Sequence, residues 1–381
     1  MSTQFRAFLL ILMTTALSFG FISLFIPEHS IPYNFDRLHI FLFNLCSGGT
    51  ILLHFTDGGS RLSGKVKLFL GLSIAYAIFA FLNIYIPVLI ISIALMVIVE
   101  SVRIRRFSFF PYDFFKPGAP VSEKFHQAAL LCLSLGLFIS GMVLLNNEYF
   151  KIVNGFPKLQ LDTFFLGFSF PLSLITMSLI FSMMADDGRV IMALKNIGFW
   201  FVNLGVIVFF LFIIFEKLAP QVFITTILFF TVIMIFYLFV TLGENLQQKA
   251  FLVSGIGFLL YTAVTGILYI IYEMAPGYSP ENTKWLLKLH AFASLYGWNL
   301  SGLAIICRYH DFPLRLHSPS LLLLHWITVA VIAPLGCYYP AFSAAATICY
   351  SIILYTIFFA KGRPTRAPSI NLKKMIHSPN G

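Results

Sequence analysis

Nine histidines are scattered through this 381-residue chain, and two of them share a local frame. Arg37-Leu38-His39 and Lys288-Leu289-His290 each open a long apolar run. Each is followed by a polar stretch of small residues, Asn44 to Thr50 in the first case and Tyr296 to Gly302 in the second. Imidazole nitrogens are axial ligands of haem iron, and glycines and serines let a helix or a flat macrocycle approach closely. Two such histidines, at one depth and facing one cavity, would make a bis-histidine site. Their ligating nitrogens would stand roughly 4 Å apart, twice a metal–nitrogen bond of about 2 Å. The competing reading is structural: each imidazole hydrogen-bonds a neighbouring helix and orders the rim of a bundle. His325, just before Trp326, is either a further ligand or a packed core residue. Asn44 and Asn299 are candidate contacts for the same cofactor. His54 reads as an interfacial cap, and His126 opens a helix at a membrane surface.

The elements that must carry these residues are membrane spans. Hydrophobic residues make up 59% of the chain and charged residues 10%, against about 25% charged in an average soluble domain. That is too little charge to cover a soluble fold. The 44 phenylalanines suit a lipid-facing surface. About 20 apolar residues cross a hydrocarbon core, and twelve segments qualify: 7–26, 38–55, 66–84, 86–102, 126–146, 162–184, 190–215, 221–242, 250–272, 285–307, 319–337 and 340–360. The tightest turns are Asn83 to Pro87 and Tyr338-Tyr339-Pro340, because proline suits a helix start. The first run reads as a retained span rather than a signal peptide, since Gly20 to Ser23 is a poor cleavage site.

With the N-terminus inside, roughly three in four of the Lys and Arg residues fall in inside loops, as the positive-inside rule requires. This predicts an all-α polytopic bundle of about twelve spans with both termini cytoplasmic, in the cytoplasmic (inner) membrane. Residues 1–360 form one transmembrane domain, and 361–381 a basic, disordered tail near the headgroups. The net charge of +10 then reflects topology and anionic headgroups, not nucleic acid. The loop 103–125, with Arg105-Arg106 and Phe109-Phe110-Pro111, suits the interface.

Ionisable residues inside a membrane are functional candidates by default. No Asp, Glu, Lys or Arg falls near the middle of any span; Glu100 and Lys195 sit near the inside face, where Lys195 can snorkel. The missing midplane carboxylate argues against proton-coupled transport. Five cysteines without a C-x-x-C spacing read as packing residues. Asn-Leu followed closely by Gly recurs at Asn44, Asn203 and Asn299, either the trace of an internal repeat or a chance match of a short pattern.

At these residues the chain resembles the haem-copper oxidase subunit I superfamily, and more closely the NnrS-like haem-copper membrane proteins. The segment from Arg37-Leu38-His39 to Gly48-Gly49 resembles their second-span haem-ligand segment. His290-Ala291-Phe292 to Tyr296-Gly297, with Arg308-Tyr309-His310-Asp311-Phe312-Pro313-Leu314, resembles their tenth span and the loop after it. The resemblance implies twelve spans, cytoplasmic termini and a low-spin haem between His39 and His290, toward the outer face. The departure is equally specific: the sixth and seventh spans contain no histidine, and no His-His pair occurs. A binuclear oxidase or reductase centre with copper is therefore not expected. What is left is a single haem for electron transfer, sensing or haem handling. Its partners would be the bilayer and membrane or redox proteins. Two other functions compete. One is a transporter of an uncharged or lipidic solute, with helices interrupted at Phe170-Pro171 and Ala333-Pro334. The other is a scaffold or assembly subunit. No nucleophile–base constellation marks an enzyme.

Overall fold

A computed structural model describes residues 1–25, 33–59, 61–153, 158–159, 165–185 and 188–363. His29 and most of the basic tail lie outside the described residues. The described residues form helices without a β-strand.

Ten helices are long and apolar enough to cross a membrane. They are α1 (Thr3–Phe25), α2 (Phe35–Asp57), α3 (Gly64–Phe81), α4 (Tyr85–Arg106), α5 (Val121–Phe150), α7 (Gly188–Ile214), α8 (Leu218–Leu242), α9 (Gln247–Glu273), α11 (Pro319–Gly336) and α12 (Pro340–Phe359). Two further helical rods, α6 (165–182) and α10 (280–307), stand among them. Their starts follow local chemistry. Asn34 caps α2 by accepting from the Arg37 N–H at 2.8 Å, and Pro280, Pro319 and Pro340 occupy first turns, where a missing N–H costs nothing. Between α3 and α4 the chain reverses through Asn83 at φ +58°, a left-handed conformation that asparagine tolerates.

Consecutive helices pack into three sets of four: α11, α12, α1 and α2; α3 to α6; and α7 to α10. The second, sixth and tenth helices close each set and meet in the centre. The most apolar stretch of α2 is 89% buried, against 22% for α7. Glycines permit this closeness. A Cβ on Gly48 of α2 would strike Leu172 of α6, and one on Gly302 of α10 would strike Thr176 of α6. Outer helices show the reverse pattern. On α4, Ile86, Ile90, Ile93 and Val97 are exposed along one stripe while Val88, Ser92, Leu95 and Val99 are buried, as expected for one face in lipid and one in protein.

The central helices are not regular. Wider π-helical turns occupy Phe41–Gly49 of α2, Phe165–Ser169 of α6 and Ala293–Asn299 of α10, with another at Thr328–Ile332 of α11. Such turns are uncommon and gather at functional sites.

At the face where even-numbered helices end, basic residues are built into the fold. The Arg103 side chain is 2% exposed; it donates to the Ser108 and Phe109 carbonyls at 3.0 and 2.9 Å and pairs with Glu100. Lys195 does not snorkel. It is 1% exposed and donates to the Met184 and Ala185 carbonyls after α6. Lys249 donates to Val240 and Gly243 at the end of α8, and Arg308 to Ile357 and Ala360 at the end of α12. Helix C-termini leave carbonyls unpaired and carry partial negative charge, so cations belong there. Several basic residues assigned from sequence to headgroups are therefore spent on the main chain.

Candidate functional site

The central face of α10 carries the site. Its hub is Tyr296, inside the π turn. The Tyr296 hydroxyl and His39 Nδ1 of α2 are 2.7 Å apart, and the Tyr296 carbonyl accepts from His325 Nε2 of α11 at 2.8 Å. The Tyr296 ring packs on Phe43, Phe292 and Tyr350, from α2, α10 and α12. One residue therefore ties four helices together. The sequence contained Tyr296 only as part of a small-residue stretch, and nothing in its neighbours signalled that two of the candidate histidines would converge on it.

His325 is held as a structural residue. Its Nε2 must carry the proton, because a carbonyl only accepts, and its ring lies between Phe251 and Phe258. This leaves Nδ1 buried without a partner among the described residues.

His290 belongs to a different flank. Its Nδ1 donates to the Thr262 carbonyl of α9 at 2.9 Å. A Cβ on Gly266, one turn along α9, would lie 3.1 Å from the ring. His39 has a matching arrangement on α1, where a Cβ on Gly20 would lie 2.9 Å from Nδ1. Each imidazole is thus seated on a glycine and anchored through Nδ1, while no hydrogen bond occupies Nε2 among the described residues. No ring contact joins His39 to His290. Beside them Phe21 of α1 stacks on Phe292 of α10 with ring centres 5.5 Å apart.

The anchoring of each imidazole is of the kind found in metal-ligating histidines. A ligating histidine usually offers one ring nitrogen and donates the other N–H to a carbonyl or similar acceptor, which fixes the tautomer. His290 has that form: Nδ1–H on a carbonyl, and an uncommitted Nε2 lone pair. His39 adopts it when its Nδ1–H donates to the Tyr296 hydroxyl.

Deeper in the core, the two asparagines differ. The Asn299 amide donates to Ser169 at 3.0 Å and its carbonyl accepts from Ser173 at 3.1 Å, while Trp298 donates to the same Ser173 hydroxyl at 2.9 Å. This network locks α10 to α6. Asn44, fully buried, has neither amide atom partnered among the described residues; the same holds for Thr328 Oγ1 and the Tyr350 hydroxyl. Asn203 stands apart and donates only to its own helix, to the Phe199 carbonyl. The Asn-Leu-Gly recurrence therefore picks out two central helices and one peripheral one.

His54 and His126 lie at the other end of α2 and have local packing roles. Gly58, not the His54 ring, caps α2: its N–H meets the His54 carbonyl at φ +70°. His126 is fully buried, donates from Nε2 to Thr56 at 2.8 Å and stacks on Phe55. It ties α5 to α2 rather than facing a surface.

No family model, curated protein or solved structure matches this chain; its ten long apolar helices mark a multi-pass helical membrane protein.

Proposed function

We propose that this is a twelve-span protein of the cytoplasmic membrane, with both termini inside, that holds a single haem through His39 and His290 in the half of the bilayer away from the basic face. Electron transfer, sensing or haem handling would be its task. One observation carries the reading: both imidazoles are anchored through Nδ1 and seated on a glycine, with Nε2 uncommitted. Bound there, a haem would supply one-electron chemistry whose potential is set by its axial ligands and burial. The chain's own contributions are specific. Thr262 and Tyr296 orient the two rings, the Phe21–Phe292 stack excludes water, and His325 steadies the π turn that carries Tyr296.

The test is a reduced-minus-oxidised visible spectrum of detergent-purified protein expressed with ample haem. A haem band in the wild type, lost in both His39→Ala and His290→Ala and kept in His325→Ala, is the expected result. A colourless wild type overturns the reading. So does a band that both ligand variants keep.

A second reading has its own support. Asn44, Thr328 and Tyr350 are buried polar groups with spare hydrogen-bonding capacity, and such groups line the path of an uncharged polar solute. Uptake of such solutes by reconstituted vesicles, abolished in Asn44→Leu, would favour transport.

A further inference from the structure

We propose that the basic face carries a binding site for one anionic glycerophospholipid, in the groove between the 108–118 loop and the start of α7. The groove has a volume of about 820 Å³ and is lined by Phe115, Lys124, Arg189, Met192, Asn196 and Trp200, among others.

Its chemistry is graded along one line. Arg189, Met192, Ala193, Asn196 and Trp200 recur at the three- and four-residue spacing that stacks side chains on one helix face. From Arg189 to Trp200 that stripe runs about 16 Å along the axis, at a rise of about 1.5 Å per residue. The charged end lies at the first turn of α7. Arg189 is exposed there. Across the groove the Lys124 ammonium, on a side chain only 2% exposed, is held at 2.7 Å from Asn196 Oδ1 and 3.1 Å from the Phe114 carbonyl. Those two bonds leave a third ammonium proton for a phosphate oxygen. Asp113, the nearby acid of the loop, is engaged by Lys116 at 2.7 Å.

The other end of the stripe is apolar and opens to lipid. Phe115 is 72% exposed and packs on Trp200 with ring centres 5.3 Å apart. Val190, Ile197, Phe201 and Leu204 of α7 are exposed beside it. Phe109, Phe110 and Tyr112 are also exposed on the loop, the arrangement by which aromatic residues sit at headgroup depth. A phosphate between Arg189 and Lys124 would send its glycerol and acyl chain down past Met192 toward Trp200 and Phe115. A soluble phosphate would leave that apolar half unused, so the observations favour a lipid.

The test is native mass spectrometry of the full chain released from nanodiscs of phosphatidylglycerol or of phosphatidylcholine. Wild type retains phosphatidylglycerol in preference. Arg189→Gln, a change at an exposed side chain, lowers that retention about fivefold, the effect of one basic residue near an anionic surface. Arg105→Gln, which removes an exposed cation outside the groove, leaves it unchanged. Equal retention of the two lipids overturns the proposal. So does equal loss in the two variants, which would mean diffuse surface charge. Displacement by glycerol phosphate as effective as by the intact lipid also overturns it.

Discussion

The two halves of this bundle handle polarity in opposite ways. In the half holding His39 and His290, the buried groups of the site are imidazoles, hydroxyls and amides, and Asn44, Thr328 and Tyr350 have polar atoms without a partner among the described residues. At the basic face Arg103, Lys195 and Arg308 are charged and donate to main-chain carbonyls. Arg103, Lys195 and Arg308 are as buried as any core leucine, yet each has a closed set of partners. Buried charges survive only when paired and hydrogen-bonded, whereas neutral groups can stand partly open at lower cost. The difference separates where the molecule is fastened from where it is available for chemistry.

The comparison is most easily broken at the basic face. Arg308→Met strips the end of α12 of two charge-assisted bonds, with a loss on the order of 3 kcal/mol. Thermal unfolding in detergent should show it. The centre responds less. Asn299→Leu should cost about 2 kcal/mol, because it leaves Ser169 and Ser173 without their shared partner, while Asn203→Leu should stay within about 0.5 kcal/mol, as for a surface change that touches no other helix. Equal effects from the two would remove the distinction between central and peripheral helices. Below Asn299→Leu comes Tyr296→Phe, which takes one hydroxyl from His39 and keeps the carbonyl bond to His325. It should cost about 1 kcal/mol. With haem bound it should also shift the redox midpoint, which a merely packed tyrosine would not do.

Much of this fold could be read from the chain. Helix ends fall within a few residues of the apolar runs, and even the minimal turns at Asn83 and Tyr339, the hardest divisions to read, separate distinct helices. Even α10, too polar to pass as an ordinary span, was bounded by its charged start and by Arg308. Side-chain partners were less legible. Lys195 at a membrane edge suggests snorkelling, and only the neighbouring end of α6 reveals that its ammonium is needed inside. His39 and His290 share a sequence frame, but partner helices are set by packing: α1 and α10 for one, α9 for the other. The π turns left no mark, since an extra residue within a turn is invisible in a single sequence.

Those turns make the site adjustable by length rather than by composition. A π turn holds one residue more than the α-helical turn it interrupts. Deleting a single residue between Ala293 and Asn299 would let α10 close into regular helix and swing everything on one side by about 100° relative to the other. His290 would leave Thr262, or Asn299 would leave its serines, with no residue type changed. A one-codon deletion is thus a dial by which descendants of this chain can uncouple their outer imidazole from their inner amide lock, and α2 carries the same dial between Phe41 and Gly49.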